Sequence, residues 1–559
     1  MVKKGEVSGT VHTTTKLLRI SLLTLSRESI FESIFAYSLM GAKHNIVLSG
    51  PLLDQLLANS NSLDEAELGK WVVPCHAFGL SPKAKDEYLK LRPELSKSLE
   101  ASLFKNKQFS HLISQALVTL SQELPDLITF NSSIVDQMQW ERVAVFELID
   151  GADEVEADLF GLINEFFCST ILPLVTGDKF LESYQLLASD LASVTRSFYA
   201  LALGLPRLFP IPGLPAASIA RRRLLQNLTT FFDELTNPPT KRIIRDDESI
   251  SGEEDTDADT PTPLTALNKI FEQHDVPFEA RASITLDLLH RIVSQIVPLA
   301  FWTLLHIYFS SSSTMLNDEI SPLVKIRGET KDWAKAHQPP SIHPQFPSPP
   351  AINFGSPDQA LSTTTFPYLR SCIAEARRLY NSSYAISQVV KPITLTDAVI
   401  ARPRAEEKWE LEVGSYVDIG LSHTLISNSS ADYLSPKQFR ADRFLHKPPS
   451  VKPTYDLSED FTTVLVLALV AGVTQLWEVA AAPKKTISDM WYEAQAAMPG
   501  AEDGQKEEQK EVKERKVGVW TVPKSIDGAY FRVPKREFRV RIRRREGLQG
   551  PKTAQKGKP

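Results

Sequence analysis

A glutamate and an arginine stand one helical turn apart in the second half of the chain, and this pair is the first candidate for chemistry. In the stretch CIAEARRLY the spacing puts Glu375 and Arg378 on one face of a predicted helix. An exposed pair of this kind contributes only about 0.3–0.5 kcal/mol, so alone it indicates a surface contact. The chain contains no HExxH, GxSxG, phosphate-binding-loop or GxGxxG sequence that would indicate a common type of enzyme.

Cysteine is the second candidate, because its thiolate binds metals and forms disulfides. The three cysteines, Cys75, Cys168 and Cys372, lie far apart and include no CxxC pair. This spacing excludes a disulfide framework and a cysteine zinc site, and it indicates a reducing, intracellular compartment. The first residues of the chain are basic but contain neither a sustained apolar stretch nor a cleavage site, so we expect no secretory signal.

The size and composition of the chain indicate a large folded protein. Its 559 residues could form up to about three average domains or one large domain with insertions, and 42% of them are apolar. The formal net charge of −6 is mild for this length, so it gives no reason to expect nucleic acid as a partner. Composition also predicts a disordered acidic insertion at residues 245–263, a charged insertion at 501–516 and a disordered tail at 547–559.

Hydrophobic periodicity predicts a mainly helical protein with a small β region. Apolar residues recur at spacings of three and four over most of the first three hundred residues. Residues 292–309 are apolar on nearly every face, which predicts a helix buried at the centre of a large fold. After residue 400 the pattern changes to short strands and turns. Near the end, Arg539, Arg541 and Arg543 alternate with apolar residues, which predicts a half-buried strand with a solvated basic face.

The order of these segments resembles the cytochrome P-450 family. The stretch EARR is followed by the strand-like SSYAISQVV, by WELEVGSYVDIG, and then by a turn-rich meander. The meander residues that match the family are Pro436, Phe439, Arg443 and Phe444. The stretch QIVPLAFWTLLHI is similar to the central helix of a branch with fungal, prostacyclin-synthase-like and sterol 7-alpha-hydroxylase-like members. The resemblance implies one large P-450-fold domain that covers residues 1–500 and 517–546.

The resemblance gives the charged pair a structural meaning. In the family, the glutamate and arginine of this helix form a buried charge network with the arginine of the meander. Carried over to this chain, the network consists of Glu375, Arg378 and Arg443. These residues would then support the fold, and we expect them to lie within ion-pair distance of each other.

The resemblance also implies a cofactor, a reaction and partners. Ser294, Gln295 and Pro298 of the central helix would lie at a haem pocket. The implied function is a haem-dependent monooxygenase that oxidises a small apolar substrate, sterol-like or a secondary metabolite. Electrons would come from an NADPH-dependent flavoprotein reductase. Members of the family associate with the endoplasmic reticulum membrane, although this chain shows no N-terminal anchor.

The sequence departs from the family at its most specific feature. After the meander the family has a loop of the type Phe-x-x-Gly-x-x-x-Cys-x-Gly, whose thiolate binds the haem iron. This chain has no cysteine after Cys372, so no axial ligand is assigned. A strand arginine that often pairs with a haem propionate is replaced by Ser387-Gln388, and the central helix has no acid beside Ser294. No catalytic residue is assigned either.

Other residues could replace the missing ligand only after rearrangement. Cys372 shares a helix face with Glu375 and is expected to support the fold, whereas His423 and His446 are expected to be exposed loop residues. Two explanations of the missing loop stay open. Either the loop was lost from the written sequence, for instance through a wrongly drawn intron, or the chain is a degenerate, non-catalytic P-450-fold protein that binds a ligand or another protein.

Overall fold

The computed structural model describes most of the chain and divides it into two compact units. The described residues are 33–39, 41–99, 103, 106–149, 153–237, 262–314, 320–340, 348–397, 407–430, 432–446, 459–483 and 518–548. The small unit consists of Met1–Gly69, Ser383–Gln438 and Pro449–Tyr455, and the large unit of Lys70–Ser382, Phe439–Pro448 and Asp456–Pro559. The family resemblance implies a single domain and gives no sign of this division.

The small unit is built around a five-stranded sheet. Its strands are β1 (Ile34–Leu39), β2 (Ala42–Val47), β3 (Leu63–Glu65), β8 (Ile386–Val389) and β11 (Tyr416–Asp418), in the order β1-β2-β11-β8-β3. A separate antiparallel pair is formed by β9 (Ile393–Asp397) and β10 (Glu407–Leu411), and the helices are α1 (Gly50–Ala58) and α17 (Ile419–Ser427). The tight β1–β2 turn places Gly41 at φ +82°, a conformation that favours glycine. The unit's apolar core includes buried Leu53, Val389 and Val417.

The large unit is mainly helical. Its helices are α2 (Val73–His76), α3 (Lys85–Leu99), α4 (Asn106–Glu123), α5 (Gln139–Val143), α6 (Leu159–Thr170), α7 (Pro173–Thr176), α8 (Asp178–Ser183), α9 (Leu187–Arg196), α10 (Phe198–Ala202), α11 (Leu214–Thr236), α12 (Pro263–Gln273), α13 (Phe278–Thr314), α14 (Pro322–Thr330), α15 (Pro357–Leu361), α16 (Pro367–Tyr380) and α18 (Glu459–Leu476). Its short 3-10 helices are Pro82–Ala84 and Leu124–Asp126. A further 3-10 helix, Ser60–Ser62, belongs to the small unit, and a π-helix occupies Leu68–Val72. The prediction of a mainly α protein with a small β region is confirmed over the described residues.

The strands of the large unit form one sheet and two hairpins. They are β4 (Glu147–Ile149), β5 (Glu154–Asp158), β6 (Ala334–His337), β7 (Ala351–Phe354), β12 (Trp477–Ala481), β13 (Ser525–Asp527), β14 (Arg532–Pro534) and β15 (Arg539–Arg544). The sheet has the order β12-β15-β5-β4, and the hairpins are β6–β7 and β13–β14.

Helix α13 is the long buried helix that the sequence predicts. It runs without a break through Pro298 and spans 37 residues, of which residues 292–308 are almost wholly buried. Because its apolar residues cover nearly every face, it is stable only where other elements surround it. Helices α6, α11, α16 and α18 pack against it.

Two segments of the described chain are long and apolar enough to cross a membrane by length and composition. They are Leu159–Thr176 and Phe278–Ser312, and 83% and 94% of them are buried inside the fold. Core helices of soluble proteins pass the same test. Helix α18 is shorter and also buried.

Strand β15 corrects one sequence-based prediction. Arg541 is buried, and its Nε donates a hydrogen bond to Glu156 Oε1 at 3.0 Å. Nη2 of Arg539 lies 3.2 Å from a carboxylate oxygen of Glu147. Only Arg543 of the three alternating arginines is exposed. The predicted solvated basic face is therefore wrong, because the neighbouring acidic strands neutralise most of it.

Several predictions fall on residues outside the described ranges. They concern residues 245–261 of the acidic segment, the charged residues 501–516 and residues 549–559 of the tail. At the end of the acidic segment, Thr262 accepts a hydrogen bond from Thr265 N and caps helix α12. Gly547, the first residue of the predicted tail, lies in a turn at φ +89°.

Candidate functional site

Helix α16 and the segment after residue 438 meet at a buried carboxylate. Glu375 is fully buried, and Arg378 donates to both of its oxygens at 2.8 Å. Nε of Arg443 donates to Glu375 Oε1 at 2.9 Å. The structure thus places all three residues of the expected charge network at ion-pair distances. The two guanidinium groups replace water as hydrogen-bond donors to the buried carboxylate and balance its charge.

Backbone contacts attach the same segment to helix α16. Arg440 N donates to Glu375 Oε1 at 3.2 Å, and Phe444 N donates to Ser371 Oγ at 2.9 Å. The thiol of Cys372 lies 3.9 Å from the carbonyl oxygen of Ala441. These contacts hold the segment along one face of the helix, so the charge network joins two parts of the chain that are far apart in sequence.

A cluster of rings extends this junction to the central helix. The ring of His306 on α13 stacks on Phe439 with centroids 4.4 Å apart. Tyr380, at the end of α16, lies 2.8 Å from His306 through its hydroxyl and stacks on Trp302 at 3.7 Å. Burial lowers the pKa of His306 to about 3, so the imidazole is neutral. Sequence reasoning did not find this histidine, because a lone histidine in an apolar helix carries no signal.

Of the three residues predicted at a haem pocket, Ser294 and Pro298 line one small cavity and Gln295 contacts another helix. Gln295 is fully buried, and its Oε1 lies 3.5 Å from Thr462 Oγ1 of helix α18. Ser294 and Pro298 instead line a small cavity together with residues of α6, α9 and β14. This cavity is partly open, and its volume of about 10 Å³ is room for about one water molecule.

The cysteines do not fit a haem with a thiolate ligand. Cys168 and Cys372 are fully buried, and burial raises the pKa of both thiols. Burial also raises the pKa of the half-buried Cys75 thiol. A thiol with a raised pKa stays protonated, whereas the iron ligand of the family is a thiolate. Residues 447–458, where the family loop would lie, are outside the described ranges, and the sequence has no cysteine there.

Other metal ligands do not come together either. Within the described ranges, the structure contains no cluster of three or more histidine, cysteine, aspartate or glutamate side chains that could hold a metal ion. The prediction that His423 is an exposed loop residue is wrong, because it lies buried in helix α17 and burial lowers its pKa to about 4. A helix begins directly after β11 at this point, which the polar stretch SHTLISNSS did not suggest. His446 is exposed.

The cavity beside Ser294 contains two residues that sequence reasoning missed. Arg196, the last residue of α9, stands at its edge, and Asn164 of α6 lines it. Neither residue belongs to a recognisable motif, because the elements that bring them to α13 are distant in sequence.

A search against models of protein families finds no match for this chain, and no curated protein matches it.

Proposed function

We propose that the protein is a cytochrome P-450-type monooxygenase, a haem-dependent enzyme that oxidises an apolar substrate such as a sterol-like compound or a secondary metabolite. The observation that carries this proposal is the buried cluster of Glu375, Arg378 and Arg443. The sequence pattern that resembles the family assigned these three residues to one network, and their side chains lie together. The same observation supports the P-450 fold as the finer description of this mainly helical chain.

The charge network would act as a support and take no part in the chemistry. Glu375 is inaccessible, and its two oxygens are occupied by arginines and by a backbone N–H. Such a carboxylate cannot accept a proton from a substrate without losing these partners. On this proposal the network fixes the segment after the meander against helix α16, and an NADPH-dependent flavoprotein reductase supplies the electrons. The enzyme would work inside the cell at the endoplasmic reticulum membrane.

The described cysteines do not fit the haem that the proposed function requires. When bound, haem supplies the oxygen-activating chemistry of the family. The described residues of this chain do not fit its thiolate ligation, since Cys168 and Cys372 are buried as neutral thiols. The amide oxygen of Gln295 lies 3.5 Å from Thr462 Oγ1, and its buried amide nitrogen has no hydrogen-bond partner among the described residues.

A second candidate function follows from this mismatch. A chain that keeps the fold without the thiolate cannot favour cleavage of the O–O bond. It would act as a non-catalytic protein that binds an apolar ligand or another protein. The specific observation that favours this candidate is the absence from the sequence of any cysteine after Cys372.

One spectroscopic experiment tests whether the fold holds haem with a thiolate ligand once a loop cysteine is present. The purified protein is supplied with haem, reduced with dithionite and saturated with CO, and the difference spectrum is recorded. The same measurement is made on a variant with a Gly-x-x-x-Cys-x-Gly loop restored between Tyr455 and Phe461, and on a matched variant that carries serine in place of the loop cysteine. We expect the thiolate band only from the variant with the cysteine.

Each result bears on one of the candidates. A thiolate band from the unaltered chain would show that one of its three cysteines ligates the iron and would rule out the second candidate. If the loop with cysteine also gives no band, the P-450 proposal is wrong. The genomic codons for Thr454 to Phe461 add an independent test. A hidden in-frame cysteine loop favours the monooxygenase, and an uninterrupted coding sequence favours the binding protein.

A further inference from the structure

Two oxidisable rings are in direct contact where helices α13 and α16 meet. The indole of Trp302 and the phenol of Tyr380 are parallel within 6°, and their centroids are 3.7 Å apart. Trp302 is fully buried, and Tyr380 is 9% exposed. Tryptophan and tyrosine lose an electron more easily than the other ring side chains, and electrons pass readily between rings in contact. The stack therefore joins two possible electron donors inside the fold.

A base stands at the hydroxyl of Tyr380. Its Oη lies 2.8 Å from Nε2 of His306. Burial lowers the pKa of His306 to about 3 and raises the pKa of Tyr380, so both side chains are neutral. With the imidazole proton on Nδ1, the lone pair of Nε2 accepts the hydrogen bond from the phenol. The phenolic proton thus has an acceptor one hydrogen bond away.

The two rings of the stack differ in what their hydrogen-bond acceptors can do. Nε1 of Trp302 donates to the carbonyl oxygen of Arg532 at 2.7 Å, and a carbonyl oxygen cannot take up the proton. An oxidised Trp302 therefore keeps its positive charge until an electron arrives. Loss of an electron makes a phenol a strong acid, so an oxidised Tyr380 gives its proton even to an imidazole of low pKa. This difference makes Tyr380 the end of the electron transfer.

The surroundings stabilise the charge that would form on His306. Its ring is parallel to that of Phe439 within 3°, with centroids 4.4 Å apart, and a cation is attracted to the face of an aromatic ring. Arg532 is the cation that opposes the rise in the pKa of Tyr380. Its Nε lies 3.1 Å from Oδ1 of Asp527, so the carboxylate compensates much of that charge.

A row of rings leads from this pair towards the surface. The centroids of Trp302 and Phe301 are 4.9 Å apart, those of Phe301 and Phe538 are 6.1 Å apart, and those of Phe538 and Trp520 are 6.2 Å apart. Trp520 is partly exposed, whereas Phe301 and Trp302 are fully buried. The two phenylalanines are not oxidised themselves, but they fill the space between the tryptophans with packed rings. An electron can therefore cross from Trp302 to Trp520 without crossing water.

We propose that Trp302, Tyr380 and His306 form a site that takes up oxidising equivalents. A one-electron oxidant at the surface, such as a peroxyl radical, removes an electron from Trp520. Trp302 replaces that electron, and Tyr380 replaces the one lost by Trp302. The O–H bond of Tyr380 breaks as its proton forms an N–H bond with Nε2 of His306, which leaves a neutral tyrosyl radical and an imidazolium. The site needs neither haem nor a reductase, so this inference and the proposed function can fail separately.

The test generates azide radicals by pulse radiolysis in a solution of the purified full chain. Azide radicals oxidise tryptophan, and we expect the tryptophanyl absorption to decay while the tyrosyl absorption rises. The rate should not depend on protein concentration, because the transfer is intramolecular. The rise should be slower in D2O, because the phenolic proton moves. In freeze-quenched samples, electron paramagnetic resonance should show a tyrosyl radical with the lowered g value of an oxygen that accepts a hydrogen bond from a cation.

Variants assign the radical. Tyr380→Phe should remove the signal with the lowered g value. His306→Gln can accept a hydrogen bond from Tyr380 but provides no base, so the tyrosyl radical should form at least about tenfold more slowly. Tyr308→Phe is the matched control on helix α13. Tyr308 is also buried, but its hydroxyl donates to the carbonyl oxygen of Trp477 at 2.8 Å, so its loss should leave the signal unchanged.

The proposal is overturned if the signal persists in Tyr380→Phe, or if His306→Gln forms it at the wild-type rate. An equal loss in Tyr308→Phe would overturn it as well. Should a buried variant fail to fold by circular dichroism, Trp520→Phe decides, since it changes a partly exposed ring. It should lower the yield of the same radical, and an unchanged yield would contradict the path through this tryptophan.

Discussion

Glu375 and Arg443 form a buried ion pair of 2.9 Å across 68 residues of sequence. Both side chains are less than one tenth exposed. Arg378 completes the pair from within the same helix, so the carboxylate is held from two directions. Loss of Arg443 would leave Glu375 with Arg378 as its remaining charged partner.

Replacing Arg443 with glutamine should destabilise the protein by about 1.5–3 kcal/mol, the usual contribution of a hydrogen bond to a charged group. The carboxylate loses one charge-assisted hydrogen bond but keeps Arg378 as its charged partner. The free energy of unfolding is measured by urea denaturation, followed by far-UV circular dichroism.

The neighbouring Arg440→Gln variant is the matched control. Its side chain is partly exposed and lies 3.4 Å from Asp442, so its loss should cost less than about 1 kcal/mol. The backbone N–H of residue 440 would still donate to Glu375. Equal losses in the two variants would mean that the buried network does not support the fold as we infer.

The features that sequence predicted well depend on local patterns. The central helix was predictable because its apolar residues continue over several turns, and the structure has it as α13. The approach of Arg443 to Glu375 was predictable only through a family pattern, since no periodicity links residues so far apart. The mainly helical class followed from spacings of three and four in the first three hundred residues.

The features that sequence missed depend on tertiary neighbours. Arg541 is buried because Glu156 stands opposite it on β5, and the alternation along β15 alone cannot reveal that partner. His423 is buried because its helix packs within the small unit. The cavity beside Ser294 needs Arg196 from α9, and nothing in either segment indicates that they meet.

Glu165 should make the stability of the protein depend on pH. It is buried, its Oε1 accepts a hydrogen bond from Gln139 at 2.7 Å, and its Oε2 has no partner. Burial raises the pKa of Glu165 to about 7. Between its ordinary pKa of 4.5 and about 7, the folded state binds more protons than the unfolded state, so this residue lowers stability as pH rises through that window.

Glu165→Gln should remove this dependence. Because glutamine does not ionise, the variant should gain up to about 3 kcal/mol of stability relative to the wild type between pH 4.5 and pH 8. Urea denaturation at a series of pH values measures the difference. Glu182→Gln, at an exposed position, should keep the wild-type slope. A wild-type slope in Glu165→Gln as well would show that the buried carboxyl does not titrate in this range.

The cysteines should differ in their reactivity towards a thiol reagent. Cys168 and Cys372 are fully buried with raised thiol pKa values, whereas Cys75 is only half-buried. We expect at most one thiol to react with Ellman's reagent at pH 8 in the native protein and three after unfolding in guanidinium. The Cys75→Ser variant should show none in the native state. Native labelling of Cys372, located by mass spectrometry, would contradict its burial against the Ala441 carbonyl.

Replacing serine with alanine at two positions on the central helix should change the stability of the protein in opposite directions. Ser294 Oγ is buried without a partner, so Ser294→Ala should stabilise the ligand-free protein by about 1 kcal/mol. Ser311 Oγ donates to the Ile307 carbonyl at 2.7 Å and accepts from Leu323 N at 2.9 Å. Ser311→Ala should therefore cost about 1–2 kcal/mol, since the N–H of Leu323 loses its acceptor. Both values come from urea denaturation without added ligand. A loss of stability in Ser294→Ala comparable with that in Ser311→Ala would show that Ser294 already makes a structural hydrogen bond.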